Sequence, residues 1–430
     1  MENKYRYDAE KILKAYKDDN FAYSLVKSSA LEMEMDSSFS SKSDVVFPAV
    51  NFITDTLSKM YIEKVVRRNN EKYSDNEELV GLTKIVSDAF DNISNTLDKY
   101  TFMTGLVGLK PFYNAEIDSF KYLMYPSHMI EYTPLYNDYS EAQEIQINYD
   151  TEGVSQKEVW SNNYFYFSTD DKEFKDGNSE NIYGEIPFVF FKNNKDNIDF
   201  FEKPKKNLLK SQNMLSKMLV NIDATFKKQG SALLIAKGIG DIKDIKVGPN
   251  SINSLPEDGD LKYITPDLNM VDMVEFLKEQ FSLISKLEGV PDSLFNVNNT
   301  SSGVSIVASQ KVVQEYIKTR QRIFLNSEKE AIEMGVRILA YHKGIEVPED
   351  FEVQINYKRQ IESLTKDEID QWNFYIENNI YTSVDIIMQL EDLSRVDAIA
   401  KIKENYDLNN QYKIVNEKEN TNNTDEIVEN

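Results

Sequence analysis

The sequence predicts an α+β fold, mainly helical, organised around one unusually long helix. Three observations predict it. From about Ser302 to His342, apolar residues recur at helical spacing (Ile306, Val313, Ile317, Phe324, Ala331, Gly335, Ile338) with no stop signal between them. At ~1.5 Å per residue such a helix spans about 60 Å, against an average globular helix of ~11–12 residues. Between Gly105 and Phe191 the texture changes to short Tyr-, Phe- and Ile-rich runs separated by turn clusters, which read as strands. Helical periodicity then returns in Lys205–Gly230 and Met270–Glu288, on either side of a segment punctuated by Gly and Pro.

Taken in order, residues 1–30 read as a charged helical arm with Ala9, Ile12, Leu13 and Tyr16 on one face. Ser37–Ser43 is a serine-rich break. Pro48 suits a first helical turn, and the helix it introduces is expected to run to about Arg68, striped by Val50, Ile53, Leu57, Met60 and Tyr61. After a polar loop over Asn69–Asn76, a third helix runs from Glu77 to Thr104, with Leu79, Leu82, Ile85, Phe90, Ile93 and Leu97 expected to face inward. Strands are expected at Lys110–Ala115, Glu144–Tyr149, Asn163–Ser168 and Pro187–Phe191, with turns at Tyr136–Tyr139 and Lys175–Asn178. Ala232–Ala236 reads as a strand inside a small β insert. Gly344 stops the long helix, and Phe351–Tyr357 alternates like a strand. Thr365 and Glu368 form a capping-box pattern opening a helix that carries Trp372, Tyr375 and Ile376. Further helices begin at Ser383 and Val396. From Asp407 the Asn- and Glu-rich tail has the composition of disorder.

A length of 430 residues fits about three domains, and the hydrophobic fraction of 41% is ample for real cores. The net charge of −23 lacks the basic footprint of an ordinary nucleic-acid binder. It fits a soluble, self-repelling surface, or one that passes near DNA without sticking to it. The absence of cysteine removes disulfides, thiolate nucleophiles and Cys-based zinc sites. Met1–Asn20 lacks the apolar core of a secretory signal, and no run approaches the ~20 apolar residues of a membrane span.

Catalytic constellations are scarce. Only two histidines exist. His128 sits in the aromatic-rich turn Tyr125-Pro-Ser-His-Met129 and reads as structural. His342 sits at a helix end, where a cation favours the dipole. Lys237-Gly-Ile-Gly240 lacks the rest of a phosphate-binding fingerprint, and no carboxylate pattern resembles a metal-ligand loop. The reading is a non-enzyme with no cofactor and no metal. The loop from Pro291 to Ser301 carries one ionisable residue, Asp292, among Asn296, Asn298, Asn299, Thr300 and Ser301. It fits an ordinary surface turn. The alternative is a loop facing a polyanion, since small neutral polar groups touch phosphates without the affinity that Lys or Arg brings.

Several stretches together resemble the portal proteins of tailed bacteriophages, particularly the long-tailed type. Pro48-Ala-Val-Asn-Phe-Ile-Thr-Asp-Thr-Leu57 looks like the family's early helix. Gly184-Glu-Ile-Pro-Phe-Val-Phe-Phe-Lys-Asn-Asn194 looks like its Gly-x-Ile-Pro strand. Leu208–Gly230 followed by Ala232–Gly238 looks like the helix entering the family's small insert. Gly289-Val-Pro-Asp292 followed by Ser302-Gly-Val-Ser305 is the strongest match. The order covers about Ser43 to Tyr406, and the chain departs from the family in being short.

The resemblance implies a portal-like fold with wing, stem, clip and crown regions, forming a ring, usually of twelve subunits, at one capsid vertex. Residues 1–204 and 302–364 would be the wing, with the long helix as its spine. Residues 205–230 and 270–288 would be the stem helices. The clip would be 231–269, with Lys243, Lys246, Asn250 and Asn253 docking partners. Residues 289–301 would be the tunnel loop, whose Asn296, Asn298, Asn299, Thr300 and Ser301 face DNA. Residues 365–406 would be the crown and 407–430 a disordered tail. The implied partners are double-stranded DNA passing non-specifically, the terminase large subunit, a head-completion or adaptor protein, and the major capsid and scaffolding proteins, with no membrane. The implied location is the virion, with the host cytoplasm during assembly. The competing reading is a non-catalytic helical and β assembly scaffold unrelated to DNA passage.

Overall fold

The computed structural model describes residues 3–31, 46–62, 65–151, 154–169, 179–194, 198–229, 233–237, 260–264, 270–291, 303–357, 366–378, 380–391, 395–396 and 398–407. The chain forms two compact units, one of residues 1–61 and 76–351, the other of residues 62–75 and 352–430.

The first unit opens with α1 (Arg6–Lys17), α2 (Asp19–Leu31) and α3 (Ala49–Leu57). The arm expected at the N-terminus is thus two helices, and Ala9, Ile12 and Leu13 are buried as the periodicity requires. The helix expected to reach Arg68 stops at Leu57. Its stripe is kept by a bend instead: Met60 and Tyr61 are still buried, with the Met60 N–H donating to Asp98 Oδ2 at 3.1 Å and the Tyr61 hydroxyl to Glu328 Oε2 at 2.8 Å. Long-range polar partners at these two residues outweigh local helix propensity.

In the second unit Val66–Asn69 form a strand, β1, antiparallel to Val353–Asn356 with Val66 opposite Asn356. Strand pairing therefore takes the residues that would have continued α3.

The helix α4 (Glu77–Thr104) has the expected bounds. The Asn76 side chain caps it by accepting from the Leu79 N–H at 3.1 Å, and Glu77 and Glu78 sit at the positive end of its dipole. Leu79, Leu82, Val86, Phe90 and Leu97 are buried. Ile85, expected inward, is 43% exposed, and Ile93 is only partly covered. Gly105 ends the helix at φ +82°, where an added Cβ would lie 2.8 Å from the Glu202 carbonyl oxygen. Only glycine fits that turn without strain.

Among the described residues eight strands follow: β2 (Leu106–Asn114), β3 (Ser119–Pro126), β4 (Ile130–Leu135), β5 (Asp138–Thr151), β6 (Val154–Ser161), β7 (Tyr164–Thr169), β8 (Ser179–Glu180) and β9 (Val189–Lys192). They make two antiparallel sheets, ordered β3-β2-β9 and β4-β5-β6-β7-β8. All four strands expected in this stretch are present, and the Tyr136–Tyr139 turn is realised with Asn137 at φ +68°. The expected turn at Lys175–Asn178 lies outside the described residues, as do the Ser37–Ser43 break and Thr365 of the capping-box pattern.

Next come α5 (Lys206–Gln229), the antiparallel pair β10 (Leu233–Lys237) and β11 (Asp260–Ile264), α6 (Met270–Leu287) and α7 (Gly303–Lys343). At 41 residues α7 is the longest helix described. It packs on α4 and β3 through Gly335, whose absent Cβ would meet Tyr122 Oη at 2.5 Å and Val86 Cγ1 at 2.7 Å. Gly344 stops it at φ +69°, with the Gly344 N–H donating to the Tyr341 carbonyl and the Ile345 N–H to that of Ala340, the two bonds of a Schellman end. The second unit continues with β12 (Val353–Asn356), α8 (Lys366–Glu377) and α9 (Ser383–Glu391); residues 398–407 are helical.

Candidate functional site

The candidate site is the stretch from α5 to α7. The α5–α6 pair is built by apolar burial: Leu208, Leu209 and Leu215 of α5 share one core with Leu277 and Ile284 of α6 and with α1 and α3. Phe281 of α6 lies edge-on to Phe47 and Phe52 at 4.7 and 5.7 Å. Two polar residues of α5 supply the N-terminus of α3, which has no side-chain cap of its own. Gln212 Oε1 accepts from the Val50 N–H at 2.8 Å, and Ser216 Oγ from the Phe47 N–H at 2.9 Å. At the end of α6, Lys205 pairs with Glu288 at 2.8 Å.

Between the two helices, β10 and β11 hold Lys237 opposite Asp260, so the insert leaves and returns at neighbouring positions. The expected docking residues Lys243, Lys246, Asn250 and Asn253 lie outside the described residues. So do Asn296, Asn298, Asn299, Thr300 and Ser301. The described geometry fixes where the latter loop departs. Gly289, at φ +91°, and Val290 close α6 in a second Schellman end: Gly289 N–H donates to the Lys286 carbonyl at 3.0 Å and Val290 N–H to that of Ser285 at 2.8 Å. Val290 itself is buried, so the loop starts from a fixed point.

The loop's return, α7, changes character at Arg320. No side chain from Lys311 to Thr319 is buried, whereas Phe324, Ala331, Ile332, Val336, Ile338 and Leu339 beyond it are. Arg320 is itself buried. Its guanidinium pairs with Asp98 of α4 at 2.5 Å, donates to the Asp98 carbonyl and to Asn193 Oδ1 at 3.3 Å each, and lies over the rings of Phe102 and Phe324. Asn193 in turn donates to the Thr101 carbonyl at 2.7 Å. Burial pushes the Asp98 carboxyl above its ordinary pKa, and the Arg320 charge is the chief influence against it. This anchor escaped the sequence reading, although a signal existed. Arg320 falls in the apolar stripe between Ile317 and Phe324, and a cation at such a position needs a buried anion.

Three other polar groups are held by burial, pairing or ring contacts. Lys110 pairs with Glu158 inside the β region, under Trp160, and burial lowers the Lys110 pKa. His128 lies in the tight turn Ser127–Met129, where burial lowers its pKa to about 4, with Glu10 opposing and Arg6, Lys17 and Lys14 assisting. A histidine whose folded pKa lies below its ordinary 6.5 gives stability that is complete above that value and is lost as pH falls toward 4. The wild type should therefore lose about 2–3 kcal/mol between pH 7 and 4.5 through this group, and His128→Gln should lose that much less, as read by urea unfolding. His342 stacks on Tyr113 at 5.1 Å and shares a 2.9 Å hydrogen bond with the Tyr183 hydroxyl. Partial burial lowers its pKa, which works against the charged form expected at this helix end. Among the described residues, no three His, Cys, Asp or Glu side chains are grouped to hold a metal ion, and no helix is long and apolar enough to cross a membrane.

The sequence matches the family model for phage portal proteins, SPP1 Gp6-like, over residues 2–411. No curated protein matches it. Among solved structures, a chain from the virion of a native gene transfer agent particle is similar with TM-score 0.49 and 9% identity, over 80% of this chain and 89% of that one. A chain from the neck of an empty gene transfer agent particle, computed with C6 symmetry, is similar with TM-score 0.49 and 10% identity, over 79% and 89%.

Proposed function

The chain belongs to the SPP1 Gp6-like phage portal protein family, and from that membership we propose its function: a portal protein at one capsid vertex, through which viral double-stranded DNA is packaged and ejected. The observation that carries the reading is the match over residues 2–411, nearly the whole chain. We assign 1–204 and 302–364 to a wing, α5 and α6 within 205–230 and 270–288 to a stem, 231–269 to a clip and 289–301 to a tunnel loop. Residues 365–406 become a crown and 407–430 a tail. Twelve copies close a ring by head-to-tail contacts. The clip, with Lys243, Lys246, Asn250 and Asn253, docks the terminase large subunit during packaging and a head-completion protein afterwards. The wing meets the capsid shell, in the virion and, during assembly, in the host cytoplasm with scaffolding protein.

The chain is a passive conduit in this reading, and the ATPase belongs to the terminase. Its net charge of −23 repels DNA and limits adhesion. Electron microscopy of the purified protein tests the proposal: rings with a central hole are expected, and monomers under all conditions, or ATP hydrolysis by the pure protein, would count against it. Replacing Asn296, Asn298 and Asn299 together by lysine should leave rings intact and slow packaging or ejection, because the new charges bind phosphate. Normal infectivity of that variant would sink the low-adhesion idea. Truncation after Asp407 should still give rings.

A further inference from the structure

Lys110 and Glu158 are buried side chains, 7% and 4% exposed, and they meet inside the β region of the first unit. Lys110 stands on β2, in the three-stranded sheet, and Glu158 on β6, in the five-stranded one, so their contact crosses from sheet to sheet. Taking an amine and a carboxylate out of water costs free energy, and well-packed apolar side chains often hold such a place as well or better. A buried ion pair is therefore a poor way to fasten two sheets.

The surroundings suit a reacting amine. Lys110 Nζ lies 4.4 Å from the centre of the Trp160 ring and 5.6 Å from that of Phe188. Burial lowers its pKa and so favours the uncharged, nucleophilic amine. On the carboxyl side, Trp160 Nε1–H donates to Glu158 Oε1 at 2.5 Å. The indole is held for this by Phe165, stacked on it at 4.6 Å. Burial, together with the Glu158 charge, also raises the pKa of the Tyr125 and Tyr149 hydroxyls.

We propose that Lys110 and Glu158 condense to an amide, a covalent tie between the two sheets that the fold makes for itself. The Lys110 ammonium passes one proton to the carboxylate, and the freed Nζ attacks Cδ of Glu158. Negative charge gathers on Oε1, where the Trp160 N–H stabilises it. A second proton moves from Nζ to Oε2, the Cδ–Oε2 bond breaks, and water leaves. Of the three ammonium protons, one stays on the amide nitrogen and two depart with Oε2, so no co-reactant is needed. Two effects favour the step. Contact held by the fold replaces chance encounter, an advantage that reaches ~10⁵–10⁸ M in effective concentration for well-oriented pairs. Two buried charges disappear, and the dry interior holds little water for the reverse reaction. The bond joins residues 48 apart in a chain that has no cysteine for a disulfide. It stands independently of the portal reading.

Intact mass spectrometry tests the proposal on the full chain, purified folded and then denatured. The wild type should weigh one water less than its sequence, and a digest should contain a peptide in which the segments of Lys110 and Glu158 are joined. Lys110→Arg keeps the cation but offers no amine, and should show the full mass. Trp160→Phe removes the donor at Oε1 and should slow the loss of water at least tenfold, followed from the start of refolding. A wild type at full mass after long storage in the folded state overturns the inference and leaves an ordinary ion pair. A missing water without the joined peptide, or one that persists in Lys110→Arg, overturns it as well. An unslowed Trp160→Phe overturns the part given to the indole. Where Lys110→Arg fails to fold, the wild-type digest decides alone.

Discussion

Replacing Arg320 by methionine should cost the fold about 3–5 kcal/mol, the typical penalty for stranding one partner of a buried ion pair. Asp98 is fully buried, and of its carboxylate partners only the Met60 N–H would remain to it. Asn193 Oδ1 would lose its donor from α7 as well. The deficit should depend on pH in a definite direction. Without Arg320 the folded pKa of Asp98 rises further above its ordinary value, and such a group favours the fold only while protonated. The loss should therefore be smallest near pH 4 and grow toward pH 7, as denaturant melts at several pH values would read. Asp98→Leu combined with Arg320→Met should recover most of the stability, since replacing both charges by apolar groups is often neutral. A double variant no better than the single one would mean that the polar contacts to Asn193 matter more than the charge pair.

The second large effect is expected at Gly335. An alanine there drives its Cβ against the Tyr122 hydroxyl, Val86 and the Phe120 ring, all parts of a packed interior. Overpacking of this kind costs ~1–3 kcal/mol, and Gly335→Leu should exceed that. The nearest atom is the Tyr122 Oη, which also donates to the Ala331 carbonyl at 2.8 Å. Tyr122→Phe alone should thus cost ~1 kcal/mol. Added to Gly335→Ala it should recover part of the loss, because it removes the atom in the way. The cycle of four melts gives the coupling directly. Additive losses would show that α7 shifts away from β3 instead of pressing on it.

The periodic parts of the chain were legible in the sequence. Glu77–Thr104 has both ends marked, by the Asn76 cap and by Gly105, and α7 has a glycine at its far end. What escaped depends on partners distant in the chain. The helix after Pro48 carries its stripe as far as Tyr61, yet Asp98 and Glu328 capture Met60 and Tyr61 in a different geometry. Ile85 matches the apolar stripe of α4 but stands exposed, since periodicity marks a stripe without marking how much of it neighbouring elements cover. The docking residues around Lys243 and the asparagines around Asn298 rested on resemblance, since short polar segments rich in Gly, Pro and Asn carry no periodicity.

The two-bond closure at Gly289 and Val290 has a consequence for length. A helix end sealed by a buried residue cannot fray to lend slack, so Val290 fixes the point from which the chain departs toward Gly303. Thirteen steps of at most ~3.6 Å cap the span between those two residues at about 47 Å. Each residue inserted there would raise that ceiling by ~3.6 Å, and each deletion would lower it by the same measure.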